Sequence, residues 1–158
     1  MNAPDHRRGP LDGIRVLDFT IVMSGPMCTR SLADAGAEVI KIESHDGDMP
    51  RTRPPFVEGM STYWGSMNCG KDSVVLDLQS VEGKRIAREL ARTADVVVEN
   101  FRPGVMKRLG LDYPTLAAEN PRLIYCAISG FGQDGPGASV AAYAPVIQAA
   151  SGYELAHA

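Results

Sequence analysis

An α/β fold, an open and mostly parallel sheet with flanking helices, is what this 158-residue sequence predicts, and three observations carry the prediction. Short β-branched runs at 14–20, 38–43 and 95–99 alternate with longer stretches of helical spacing, the pattern of successive βα units. Val96-Val97-Val98 is a continuous apolar run of the kind found in strands covered on both faces. The 16 Gly and 11 Pro make up about 17% of the chain against a usual ~12%, and many of them fall where the strand and helix patterns stop.

In chain order, the first strand is expected over 14–20, Ile-Arg-Val-Leu-Asp-Phe-Thr. Gly25-Pro26 then start a helix, with Pro at its first position, that runs to about residue 35. Gly36 suits the left-handed position past a helix end, and residues 38–43 form the second strand, completing one βαβ unit. Residues 44–55 turn to Gly, Pro, Asp and Arg without apolar period, a surface loop of a length that is often functional. Residues 61–68 read as a short helix carrying Tyr63 and the only tryptophan, Trp64, and 73–78 as the third strand. Over 82–94, Ile86, Ala87, Leu90 and Ala91 occupy the rows of an amphipathic helix. The fourth strand, 95–99, follows. Two helical turns near 105–109 and 113–119 lead to a fifth strand at 123–129, a Gly-rich loop at 130–137 and an apolar helical stretch at 143–151. Residues 1–10 are expected to be a disordered tail, leaving 11–158 as one domain.

The charge balance of 16 basic and 19 acidic residues, net -3, supplies no positive field for a nucleic acid or an anionic membrane. No apolar run approaches the ~20 residues of a membrane span, and the basic residues near the start precede no apolar core of a secretory signal. Cys28, Cys69 and Cys126 are odd in number and lack CxxC spacing, so reduced thiols in a cytoplasmic protein, and no metal site, are expected.

Parallel sheets bind ligands beyond the carboxyl ends of their strands, which directs attention to 21–25, 44–48, 78–79, 100–104 and 130–137. The first of these loops lacks GxGxxG, which argues against a classical dinucleotide site. Ser24-Gly25-Pro26 presents a helix N-terminus, equally consistent with an anion site and a plain cap. Asn100-Phe101-Arg102-Pro103-Gly104, with Arg108 about a turn further on, joins an amide, a ring and guanidinium groups, which suits a nucleotide-like ligand; the alternative is a core Phe beside a solvated Arg. The histidines are His6, His45 and His157, so a Ser-His-Asp arrangement would have to use His45, and Ser129 lacks the GxSxG elbow. Asp18, Glu43, Asp77 and Glu99 fall at strand ends, where capping of backbone N–H groups is expected because nothing in the sequence pairs them.

Several strings together resemble the family III CoA-transferases of the CaiB/BaiF type, a group that includes formyl-CoA and carnitine CoA-transferases and α-methylacyl-CoA racemase. They are Leu11-Asp-Gly-Ile-Arg-Val-Leu-Asp-Phe-Thr20, Ser24-Gly-Pro26, Leu32-Ala-Asp-Ala-Gly-Ala-Glu-Val-Ile-Lys-Ile-Glu43, Asn68-Cys-Gly-Lys71, Leu76-Asp-Leu78, Ala94-Asp-Val-Val-Val-Glu-Asn-Phe-Arg-Pro-Gly104, Arg108-Leu-Gly110, Asn120-Pro-Arg122 and Ser129-Gly-Phe-Gly132, in family order. The resemblance implies the N-terminal part of a Rossmann-like large domain that binds coenzyme A or an acyl-CoA as substrate. The positions that hold CoA in relatives correspond here to Met23 and Ser24, to Leu76, Asp77, Leu78 and Gln79, to Asn100, Phe101 and Arg102, to Arg108, and to Val140, Ala141, Ala142 and Tyr143. Met23 replaces a glutamine and Ser44 an arginine of formyl-CoA transferase, which points away from formate and oxalate. Tyr143 replaces a histidine of the racemase branch, and a phenol with an ordinary pKa near 10 is a poor base at neutral pH, which favours transfer over racemisation.

The resemblance further implies a nucleophilic aspartate, a mixed anhydride and an aspartyl-CoA thioester that passes CoA to a carboxylic acid. That aspartate is expected beyond Ala158, so no catalytic residue is expected within this chain, which alone is expected to be inactive, and the full-length form is expected to be an interlocked homodimer. The alternatives are a stand-alone or split-subunit acyl-CoA binding module and a relative of the racemases.

Overall fold

The computed structural model describes residues 9–153, 155 and 156. Most of the expected tail, His6 and His157 lie outside the described residues. Five parallel strands form one sheet: β1 (Arg15–Asp18), β2 (Glu38–Glu43), β5 (Asp72–Val75), β6 (Val96–Glu99) and β7 (Ile124–Ala127), in the spatial order β5-β2-β1-β6-β7. A separate two-stranded hairpin joins β3 (Phe56–Val57) to β4 (Met60–Ser61). The helices are α1 (Ser24–Asp34), α2 (Thr62–Asn68), α3 (Val81–Thr93), α4 (Val105–Leu109), α5 (Tyr113–Glu119) and α6 (Ala144–Ser151).

Alternation along the central strands sorts side chains between two cores. Val16, Val39 and Val98 pack on one face with Ala37 and, from α1, Leu32 and Ala33. Leu17, Ile42 and Val97 pack on the other with Ala87 and Ala91 of α3, Met106 of α4 and Leu116 of α5. Both faces of the sheet are thereby covered, which is why Val96-Val97-Val98 reads as an unbroken apolar run. Ser80 caps α3, its hydroxyl accepting Gly83 N–H at 2.9 Å, and Gly36 ends the α1 unit at φ +102, as glycine past a helix end permits.

Several local features depart from the sequence reading. The third strand, expected over 73–78, runs Asp72–Val75 as β5, so Leu76, Asp77 and Leu78 follow it. α1 begins at Ser24, so Pro26 occupies its third position and not its first. The loop after β2 contains a 3-10 turn at Met49–Thr52. Residues 56–61 form a hairpin whose corner, Glu58 and Gly59, takes φ +51 and +80, the both-positive geometry of a tight two-residue connection.

Candidate ligand site at the carboxyl edge of the sheet

The chain builds β1, β2 and β5 outward in one direction, then returns through α3 to add β6 and β7 on the other side of β1. The order reverses between β1 and β6, and the crevice beyond such a reversal is where open parallel sheets receive ligands. A cleft of about 570 Å³ lies beyond these carboxyl ends. Phe19, Ile21 and Val22 supply the wall after β1, residues 42–49 that after β2, Leu76, Asp77, Leu78 and Gln79 that after β5, and Phe101, Val105 and Leu109 the wall beyond β6.

Asn100 fastens the crevice across the reversal. Its Oδ1 accepts Ile21 N–H and its Nδ2 donates to the Ile21 carbonyl, both at 2.8 Å, while Nδ2 also reaches Ser24 Oγ at 3.4 Å. A side-chain amide that answers both backbone groups of one residue acts as a short extra strand, satisfying polar groups the parallel ladder no longer reaches. Phe101 packs against the core and lines the cleft, so the two readings of this ring from sequence are compatible. Its N–H donates to Glu99 at 2.9 Å. Burial raises the Glu99 carboxyl above the ordinary range, and that single N–H only partly opposes it.

Charges at the carboxyl edge are buried in partnered sets. Asp18 Oδ1 accepts Thr20 N–H at 2.8 Å and the Thr20 hydroxyl at 2.5 Å, and its Oδ2 accepts Thr29 Oγ1 at 2.6 Å and Lys71 Nζ at 3.0 Å. Lys71 completes its bonding with the Pro26 carbonyl and Asn68 Oδ1, each at 2.9 Å; burial lowers its pKa and the Asp18 carboxylate opposes the shift. Glu43 accepts Arg51 Nη2 at 2.6 Å, Arg51 Nε at 2.7 Å, Ser73 Oγ at 2.7 Å and Asp48 N–H at 3.0 Å. Burial pushes the Glu43 carboxyl upward, but the bonds from Arg51, Ser73 and Asp48 outweigh it and hold it at about 2. Arg51 also lies 3.5 Å over the Trp64 ring, a cation–π contact that braces the loop after β2 against α2.

Asp18 and Glu43 accept backbone N–H groups as expected, from Thr20 and Asp48, but both are also ion-paired, to Lys71 and Arg51, which come from elements that no local pattern connects to them. Asp77 and Glu99 behave as the sequence suggests, each accepting the N–H two residues on, Gln79 and Phe101.

Of the ligand positions named from sequence, Leu76, Asp77, Leu78, Gln79 and Phe101 line the cleft. Met23 and Ser24 lie exposed on the rim at the start of α1, beside Ile21 and Val22. Arg102 and Arg108 are exposed on the segment leading into α4 and on α4 itself. Val140, Ala141, Ala142 and Tyr143 stand apart from the cleft walls, beyond the end of β7, where a Cβ on Gly130 would meet the Ala142 Cβ at 2.1 Å. Lys41, Glu43, His45 and Asp48 also line the cleft; the sequence directed attention to 44–48 and to Glu43 without naming any of the four as a ligand position. The signal for His45 and Asp48 was their place directly after a strand; for the buried Lys41 there was none.

The sequence profile of the family described as "CoA-transferase family III" matches residues 11–157. The "Acetyl-CoA:oxalate CoA-transferase" of Acetobacter aceti is 49% identical over 155 residues, covering 98% of this chain and 40% of that protein. The "Succinate--glutarate CoA-transferase" of Agrobacterium fabrum is 46% identical, covering 97% of this chain and 40% of that protein. Among solved structures, a CAIB/BAIF family protein from Brucella suis superposes with a TM-score of 0.87 at 44% identity, covering 91% of this chain and 39% of that one. The chain spans about 40% of the length of the curated relatives it matches first. With the profile matched over nearly every described residue, the chain belongs to the family III CoA-transferases.

Proposed function

We propose that these 158 residues form the coenzyme A-binding part of an enzyme that moves CoA from an acyl-CoA to a carboxylic acid. The observation that carries the reading is the cleft at the strand-order reversal, with Phe101 on its β6 side, Leu76, Asp77, Leu78 and Gln79 as its far wall, and Asn100 bonded to the lining residue Ile21. Its chemistry fits the ligand. Apolar side chains face a volume of about 570 Å³, enough to take a planar base or part of an extended thiol arm. Phe101 offers a ring for stacking, and Arg102 and Arg108 supply exposed guanidinium groups near the β6 end for phosphates.

In this reading the transfer step uses a carboxylate nucleophile that lies downstream of residue 158, an expectation supported by the family resemblance. The described part is therefore assigned binding and orientation of the acyl-CoA. Homodimerisation and a cytoplasmic location belong to the same proposal; among the described residues no helix is long and apolar enough to cross a membrane. Relatives carry the names of oxalate, glutarate and mesaconate enzymes, so a small carboxylic acid acceptor is supported without selecting one, and Met23 and Ser44 do not suffice to set oxalate aside.

Calorimetric titration of the 158-residue chain with CoA, paired with an incubation containing acyl-CoA and an acceptor acid, tests the reading. Saturable binding without product is the expected outcome. Absence of binding sinks the assignment of the cleft, and turnover sinks the assignment of the nucleophile to later residues.

A further inference from the structure

Val22 sits at φ +69, a left-handed backbone that a β-branched residue enters only when its surroundings hold it there. Asp48, from the loop after β2, provides the hold: its two carboxylate oxygens accept Val22 N–H at 3.1 and 3.2 Å. Asp48 is fixed in turn. Lys41 Nζ lies 3.3 Å from its Oδ2, with both side chains 1% exposed, and the Asp48 N–H is bonded to Glu43. Lys41 also donates to the Thr20 carbonyl at 2.7 Å, two residues before Val22. From the opposite flank of β1, Asn100 grips Ile21. The segment entering α1 is thus held from both neighbouring strands, with its turn forced at Val22, immediately before Met23 and Ser24.

We propose that Asp48 is a positioning residue for coenzyme A: it clamps Val22 in the left-handed conformation and so fixes the loop between β1 and α1 in the geometry the ligand requires. The proposal rests on the CoA reading above. Two observations set the clamp apart from an ordinary buried ion pair. Glycine, the default residue for positive φ, is absent from position 22, so the conformation depends on the partner and not on the residue itself. Strain of this kind is kept where surrounding groups over-determine it, typically at ligand loops, and there it lowers the ordering cost of binding.

A double-mutant cycle read by CoA titration of the 158-residue chain tests the clamp. Asp48→Ala is expected to weaken affinity about tenfold, the scale of the positive-φ cost for a non-glycine residue. In a Val22→Gly background the same substitution is expected to cost about threefold or less, because glycine reaches the conformation unaided. Equal losses in both backgrounds overturn the proposal, since a merely structural Asp48 loses the same in either. If Asp48→Ala fails to fold by circular dichroism, Val22→Pro takes its place, fixing φ near −65° and deleting the clamped N–H. A folded Val22→Pro chain with unaltered affinity overturns the proposal, and a loss of about tenfold supports it. Should the parent chain bind no CoA, the functional reading fails and positioning for CoA fails with it. Hydrogen exchange then shows which part failed: a protected Val22 amide leaves the clamp standing without that ligand, and an unprotected one shows that the clamp itself does not form.

Discussion

The Lys71 side chain is 1% exposed and that of its partner Asp18 is fully buried, and an ion in that position is tolerable only while its whole hydrogen-bond set is intact. Removing one member leaves the other desolvated and alone. Lys71→Ala is accordingly expected to lower folding stability by about 3 kcal/mol, visible as a fall in the urea midpoint with the slope unchanged. Glu43 gives a pH signature of definite sign. Its folded carboxyl titrates at about 2 against an ordinary 4.5, so the unfolded chain binds the proton first as acid is added. Its contribution is therefore complete above about pH 5 and is lost progressively as the pH falls toward 2. Glu43→Gln is expected to cost about 2 kcal/mol at pH 6 and progressively less at pH 4 and pH 3. A difference between variant and parent that stays constant with pH contradicts the assignment. These pairings were hidden in the sequence because Asp18 and Lys71 lie 53 residues apart and Glu43 finds Arg51 only after the 3-10 turn folds the loop back.

Elements, by contrast, were largely legible. The β-branched runs of β1, β2 and β6 and the amphipathic spacing of α3 are local, and a sheet covered on both faces rewards those patterns wherever they occur. The hairpin was not legible. Its strands have two residues each, too few to show alternation, and Glu58-Gly59 is a weaker turn signal than Asn-Gly or Asp-Gly. Among the site residues, Leu76 to Gln79 and Phe101 were found because strand ends and a family resemblance marked them, whereas the pairing of Lys41, inside β2, with Asp48, in the loop after it, is a tertiary contact that no local pattern shows.

Glycine positions allow the element packing to be tested. A Cβ on Gly83, in the first turn of α3, would lie 2.0 Å from the Asp77 carbonyl oxygen, so Gly83→Ala must push the helix away from the cleft wall. A loss of about 2 kcal/mol, together with weaker CoA binding, is expected. Gly65 in α2 faces open space, and Gly65→Ala is expected to raise stability by about 0.5 kcal/mol through helix propensity. Thermal denaturation of the two variants side by side checks the contrast, and similar shifts for both would contradict the packing described.

At the scale of the whole molecule, the strand order creates the site. Because the chain leaves β1 in one direction and returns on its other side, two loops diverge at the carboxyl edge, and Asn100 joins them across the opening. The alternation of strand and helix was enough to predict the sheet, but the placement of β6 beside β1 depends on tertiary packing that no local window contains. Val140, Ala141, Ala142 and Tyr143, beyond the outer strand β7, stand apart from the cleft walls.

In the proposed function, coenzyme A occupies the crevice between the β1 and β6 loops. Backbone amide chemical-shift mapping of the isotope-labelled chain during titration with CoA tests it most directly. Saturable perturbations concentrated at residues 21–24, 44–48, 76–79 and 100–102 are expected. Perturbations confined to the outer face of α3, around Lys84, Arg85 and Arg88, or none at all, would contradict it.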